Sequence, residues 1–163
     1  MKKLSIVFLL SCMFCLLGLN AKVSYFMDFD KDTKSLVRKL LVYKQPGWVA
    51  KVITKESKEF YFVRPKSMFE FYFTPTKWPE TKVNNSDSLK ELVVTDYKTH
   101  RAINAKGSFY VYGSNKISPA GDDLPAFENY DDAKEFADNN NGKRVLSFKE
   151  VKKGLIELLN GDI

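Results

Sequence analysis

The chain has 163 residues and carries 26 basic against 20 acidic side chains, for a formal net charge of +6. Hydrophobic residues make up 44% of the chain and charged residues 28%, which excludes both wholesale disorder and a collagen-like fibre. Two cysteines and one histidine are too few donors for most catalytic metal sites. The length suits one compact domain or two very small ones.

The first 21 residues have the composition of a secretory signal peptide. Two lysines precede an apolar run over residues 4–19, and the small residue Ala21 follows that run. We predict cleavage after Ala21, which leaves a domain over residues 22–163 in the periplasm or the wider cell envelope. A retained N-terminal anchor and lipid attachment at Cys12 are the alternatives, and each would tie the chain to a membrane. Cleavage after Ala21 removes Cys12 and Cys15, so the exported chain would contain no thiol.

The first half of the exported chain, residues 36–88, follows a polar entry segment and contains turn residues between short apolar runs. Proline fixes φ and glycine accepts positive φ, so the Gln45-Pro46-Gly47 sequence predicts a turn. In chain order we predict a strand over 36–43, a hairpin of strands over 48–54 and 60–63, a helix over 68–73 that starts near Pro65, and a polar loop over 76–88.

The second half, residues 89–160, repeats the order of strands followed by a helix. We predict strands over 89–97, 101–105 and 108–113, a loop over 114–124, a helix capped by Asp131, a strand over 144–148 and an amphipathic helix over 149–159. The fold class is therefore α+β, with two small ββα-type halves, short antiparallel sheets and packed helices.

Several patterns that would indicate a catalytic or metal-dependent function are incomplete. The acidic sequence Asp28-Phe29-Asp30-Lys31-Asp32 has the spacing of a calcium-binding loop. However, Thr33 stands where that loop needs glycine, and Lys39 where it needs a closing glutamate. The sequence has neither a Gly-x-Ser-x-Gly elbow nor a glycine-rich phosphate loop, so we expect no enzymatic activity. The modest excess of lysine in an exported chain indicates a solvated surface rather than a nucleic-acid site.

Six segments, in order, resemble the NosL family over about residues 35–158. These segments are residues 46–50 (PGWVA), 65–69 (PKSMF), 94–97 (VTDY), 109–114 (FYVYGS), 119–127 (PAGDDLPAF) and 142–148 (GKRVLSF). The resemblance implies a cell-envelope accessory protein of nitrous oxide reductase that handles Cu(I). It implies an ABC transporter complex or the reductase itself as partner, and a fold similar to part of organomercurial lyase.

The positions that match the family's copper ligands carry other residues in this sequence. The family's Cys-x-x-Cys-Gly-Met sequence corresponds to residues 35–40, which puts Ser35 and Arg38 in place of the thiolates and Leu40 in place of the thioether. Ala120 likewise replaces a methionine of the family's Gly-Pro-Met-Gly loop. Cu(I) is a soft cation that prefers sulfur ligands, so autonomous binding should be weak or lost.

The donors that remain in the exported chain are Met27, Met68 and the single imidazole of His100. Met68 and His100 are the candidate metal ligands, although aromatic neighbours also fit Met68 to a packing role.

Two functions of different class follow from the resemblance and its departures. The first is a NosL-like copper-handling factor that binds copper weakly or through ligands of a partner. The second is a metal-independent interaction module of the cell envelope, for which Trp48 and Trp78 are candidate partner-binding residues, and Arg38 and Lys39 are further positions at which to test such a surface. An organomercurial-lyase-like enzyme is disfavoured, because its carbon–metal chemistry needs thiolates.

Overall fold

The computed structural model describes residues 24–121 and 124–163, so the predicted signal peptide lies outside the described residues, as do Asp122 and Asp123. The strands are β1 (Ala50–Thr54), β2 (Glu59–Phe62), β3 (Leu89–Thr95), β4 (Ala102–Asn104), β5 (Phe109–Tyr112), β6 (Ala126–Phe127) and β7 (Arg144–Ser147). The helices are α1 (Pro65–Phe73), α2 (Tyr130–Asn139) and α3 (Lys153–Asn160), with short 3₁₀ turns between them.

The first sheet has four antiparallel strands in the order β2-β1-β3-β4. The predicted hairpin is confirmed, with Val52 of β1 opposite Phe60 of β2. The sheet also takes strands from both predicted halves, because β1 pairs with β3 across the boundary between residues 88 and 89. The α+β class with short antiparallel sheets is confirmed, but the first sheet is not divided at that boundary.

The second sheet has three antiparallel strands in the order β6-β5-β7. Asp96, which follows β3, connects the two sheets. Its buried carboxylate accepts hydrogen bonds from the main-chain N–H groups of Lys98 and Thr99 in the β3–β4 turn, and from Glu128 after β6. These charge-assisted bonds hold the turn against the second sheet.

The main core lies between the first sheet and helices α1 and α3. Helix α1 begins at Pro65, where the missing N–H of proline costs no helical hydrogen bond. It buries Met68, Phe69 and Phe71 completely, and Phe69 contacts Tyr110 of β5 edge to face. Phe71 of α1 also packs on Phe62 of β2, so aromatic side chains of this helix contact both sheets. Such pairs bury large apolar areas, and α1 therefore helps to hold the two sheets together.

The strand predicted over residues 36–43 is wrong. The chain folds back on itself there, so that Lys34 and Leu41 form an isolated bridge, and a 3₁₀ turn follows at Val42–Lys44. A short apolar run cannot be assigned by periodicity alone, because it suits a buried turn as well as a strand.

Three other boundaries differ from the prediction. Asn129, and not Asp131, caps α2, by accepting a hydrogen bond from the N–H of Asp132. Helix α3 begins at Lys153, later than predicted, and the two-residue strand β6 was not predicted. Among the described residues, no helix is long and apolar enough to cross a membrane.

Candidate metal site

Residues 33–42 form a tight hairpin, here called the motif hairpin, at the positions that match the family's ligand sequence. The Ser35 N–H donates to the Leu40 carbonyl at 2.8 Å, and the Lys39 N–H donates to the Ser35 carbonyl at 3.0 Å. Lys39 has a φ of 56°, in the left-handed region that glycine adopts most easily. Lys39 stands where the resemblance places glycine, so this backbone geometry supports the alignment.

The three positions of the motif hairpin that the resemblance matches to the family's ligands differ in exposure. Ser35 is 1% exposed, and its hydroxyl has no hydrogen-bond partner within the described part of the chain. Arg38 is exposed, and Leu40 is 42% exposed. An enclosed position that suits a cysteine side chain is thus occupied by a small hydroxyl, while a guanidinium and an isobutyl group lie on the outside.

Ala120 and the motif hairpin share one buried cluster. Val42, the last residue of the hairpin, forms this cluster with Val49 and Val63, and Ala120 packs against it; it is here called the valine cluster. The structure therefore brings to one cluster the two segments that the resemblance matches to the family's ligands, as a shared metal site would require. Neither segment supplies sulfur.

Arg64, which is fully buried at the start of α1, holds the loop that carries Ala120 through hydrogen bonds. Nη1 of Arg64 donates to the Ala120 carbonyl at 2.6 Å and to the Gly121 carbonyl, and Nε lies 3.1 Å from the Ser67 hydroxyl. We did not predict this role from the sequence. The available signal was an arginine between the apolar Val63 and a helix-starting proline.

The remaining candidate donors are dispersed. Met68 is 0% exposed inside the main core, whereas His100 is exposed in the β3–β4 turn. The His100 ring lies against Gly47, where an added Cβ would come within 3.0 Å of Nε2. Met27, on the extended N-terminal segment, packs against the valine cluster together with Ala120.

The donor set does not fit Cu(I). Within residues 24–121 and 124–163, no group of three or more histidine, cysteine, aspartate or glutamate side chains is placed to hold a metal ion. Among the described residues, Met27 is the one thioether that packs on the valine cluster, and Arg38 adds a positive charge to the motif hairpin. A soft cation would therefore meet one sulfur, one buried hydroxyl and a guanidinium, which is a poor coordination shell.

The two candidate partner-binding tryptophans differ in accessibility. Trp48 is 5% exposed and contacts Tyr97 edge to face, with ring centroids 5.1 Å apart. Trp78 is half-buried and packs on Phe71 at 5.8 Å. Burial of the Trp48 ring leaves little of it for a partner, and partner binding by either residue stays a prediction.

The N-terminal segment is fixed on β2 by a polar group of three side chains. The Tyr61 hydroxyl bonds Glu59 at 2.6 Å and lies against the Asp28 carbonyl, and Lys51 Nζ lies 3.2 Å from Glu59. The hydrogen bond from Tyr61 lowers the pKa of Glu59, helped by Lys51, while burial and the Glu59 charge raise the pKa of Tyr61. These contacts hold Met27 and Phe29 against the valine cluster.

Comparison with known proteins gives a family match and a structural match. The NosL family model matches residues 26–156. The crystal structure of the copper chaperone NosL from Shewanella denitrificans superposes with a TM-score of 0.67, covering 82% of this chain and 99% of that chain at 20% identity. At that identity, the superposition shows a shared fold and nothing further. No match was found among curated proteins.

Proposed function

Because this chain belongs to the NosL family, we propose that it is an accessory protein of copper handling in the cell envelope, in the maturation of nitrous oxide reductase. The observation that carries the proposal is the family match over residues 26–156, which spans the motif hairpin and the Ala120 loop. A structural neighbour that is a copper chaperone supports the same role. The role is one of binding and delivery, without catalysis of its own.

We further propose that this chain does not bind Cu(I) tightly by itself. The four positions that match the family's ligands carry a hydroxyl, a guanidinium and two aliphatic groups, at Ser35, Arg38, Leu40 and Ala120. Copper would then be held weakly, or would be coordinated largely by ligands of a partner in the envelope, such as the ABC transporter complex or the reductase. Export by the predicted signal peptide would bring the chain to those partners.

A metal-independent interaction module is the second candidate function. The buried Ser35 hydroxyl and the packed Ala120 side chain favour it. Both side chains fill space in the folded chain, and neither supplies a ligand that Cu(I) prefers. In this alternative the scaffold is retained and its surface docks another envelope protein without copper.

An anaerobic competition titration with Cu(I) and a chromophoric chelator tests the first candidate. The chain that begins at Lys22 retains every contact described above, because the described residues start at Ser24. We expect the chain not to remove Cu(I) from a chelator that binds Cu(I) with a sub-micromolar Kd. Tight binding that is lost in Met27→Leu, Met68→Leu or His100→Ala would contradict the loss of autonomous binding and would identify the site.

Restoring the sulfur ligands gives a matched gain-of-function test. The triple variant Ser35→Cys, Arg38→Cys, Leu40→Met should compete for Cu(I), because the motif hairpin already has the backbone that the family's sequence needs. The control variant carries Ser35→Cys and Leu40→Met with its second cysteine at the exposed Lys106, and it should not compete. Equal behaviour of the two variants would contradict the assignment of residues 35–40 to the ligand segment.

Pull-down from an envelope extract, with and without copper, separates the two candidate functions. Capture of copper-centre assembly proteins that increases with Cu(I) supports the copper-handling role. Capture of a partner that is indifferent to copper and to chelator supports the metal-independent module.

A further inference from the structure

Three of the exposed large apolar side chains lie on the two segments that meet at the valine cluster. Leu40 is 42%, Tyr43 41% and Ile117 76% exposed. The first two flank Val42 of the valine cluster, and Ile117 precedes Ala120, which packs on that cluster. These three side chains and the exposed Arg38, Lys44 and Lys116 of the same two segments are here called the loop surface.

The charge of these segments has one sign. Residues 34–45 and 114–121 contain five basic side chains and no acidic ones, and Asp122 and Asp123 follow the second segment. Lys39 is excluded from the loop surface because its ammonium lies 3.8 Å from Glu80. Three of the other basic side chains, Arg38, Lys44 and Lys116, belong to the loop surface and make it complementary to an anionic partner.

The backbone of the motif hairpin is suited to an environment with little water. The Leu40 carbonyl accepts from Ser35, and the Val42 N–H donates to the Thr33 carbonyl at 3.1 Å. Polar groups that are already paired within the hairpin need not lose water when Leu40 approaches an apolar phase. Leu40 is therefore presented on a hairpin whose backbone is internally hydrogen-bonded.

We propose that the loop surface docks on an anionic lipid bilayer. Aliphatic and aromatic side chains surrounded by lysine and arginine are the composition of interfacial segments, in which tyrosine lies at the headgroup level and basic groups bind anionic lipid. Lysine is depleted at protein–protein interfaces, and it supplies two of the three basic groups here. The inference is independent of copper binding, so it stands or fails separately from the proposed function.

Flotation with lipid vesicles tests the proposal, with the chain that begins at Lys22. The vesicles are phosphatidylcholine alone, or phosphatidylcholine with about a third phosphatidylglycerol, at low and high salt. We expect binding to the anionic vesicles only, and loss of that binding at high salt. The variant Lys44→Gln, Lys116→Gln should bind about 25-fold more weakly, since each basic residue near an anionic surface contributes about fivefold.

A matched charge control and an apolar variant complete the design. The control Lys106→Gln, Lys149→Gln removes the same charge from exposed positions outside the loop surface and should bind as the parent does. Leu40→Ser, Ile117→Ser keeps the charge and should also weaken binding, with far-UV circular dichroism confirming the fold of each variant.

Three results would overturn the proposal. They are equal binding to neutral and anionic vesicles, equal loss in the loop-surface and control charge variants, and binding to poly-glutamate beads without binding to vesicles. The last result would assign the loop surface to an acidic protein instead.

Discussion

Nη1 of Arg64 donates a hydrogen bond to the main-chain carbonyl of Ala120 at 2.6 Å, across 56 positions of sequence. A fully buried guanidinium at the start of α1 thereby fixes the loop in which the resemblance matches Ala120 to a methionine of the family. A cation at a helix N-terminus is opposed by the helix dipole, so the carbonyl oxygens of the loop must compensate for its burial. The Ala120 loop and helix α1 thus behave as one structural unit.

Replacing Arg64 should loosen the Ala120 loop. Arg64→Met removes the donors for the Ala120 and Gly121 carbonyls, and we expect a loss of about 2–4 kcal/mol in the free energy of unfolding. Arg64→Lys keeps the charge but cannot bond both carbonyls and Ser67, so it should recover only part of that loss. Urea denaturation measures both variants, and an unchanged midpoint for Arg64→Met would contradict the structural role.

Asp96 should be the most sensitive polar position between the two sheets. Asp96→Asn replaces an acceptor by an amide donor, which would face either the Glu128 N–H or the donors of the β3–β4 turn. We expect a loss of at least about 2 kcal/mol, because the residue is 1% exposed and water cannot replace the lost acceptor. Thermal unfolding followed by circular dichroism measures the effect. The exposed Asp131→Asn is the matched control and should change the midpoint little.

Two variants of Met68 distinguish a packing role of this side chain from a metal-ligand role. Since Met68 is 0% exposed in the main core, Met68→Ala should cost about 2–5 kcal/mol through the cavity it leaves. Met68→Leu keeps the volume and should cost less than about 1.5 kcal/mol. Neither variant should change the result of the Cu(I) competition at temperatures where both remain folded. A normal stability of Met68→Leu combined with altered Cu(I) competition would instead support the thioether as a ligand.

The sequence could predict those elements whose residues are patterned locally. The β1–β2 hairpin and helix α1 have clear turn and helix-start residues, and both lie close to where we predicted them. The motif hairpin could not be predicted, because its geometry depends on Lys39 adopting a positive φ that lysine rarely adopts. The resemblance identified Ser35 and Ala120 as former ligand positions, but only the fold shows that the two segments meet at the valine cluster.

Hydrogen-bonded pairs that lie far apart in the sequence could not be predicted either. Arg64 and Ala120, and Asp96 and Glu128, are joined by tertiary contacts that carry no periodic signal. The partners of a buried charged group can therefore be identified only from the folded structure, in which they lie together.

Acid should weaken the attachment of the N-terminal segment through Glu59. The hydrogen bond from Tyr61, and secondarily the contact with Lys51, lower the pKa of Glu59 in the folded state. The stabilisation is therefore present above the ordinary glutamate pKa and is lost as pH falls through the lower, folded-state value, from about pH 5 downward. The Glu59 side chain is 41% exposed, so solvent screening limits the contribution to about 1 kcal/mol or less.

The variant Glu59→Gln tests this pH dependence. Its free energy of unfolding should fall less steeply between about pH 5 and pH 3 than that of the parent chain, because one carboxylate with a lowered pKa has been removed. Glu56, Asp132 and Glu150 also have lowered pKa values, so the difference between variant and parent is the quantity to measure. Glu91→Gln, which removes a surface carboxylate 3.5 Å from Lys90, is the control. If both variants follow the parent curve, Glu59 does not link the N-terminal segment to pH.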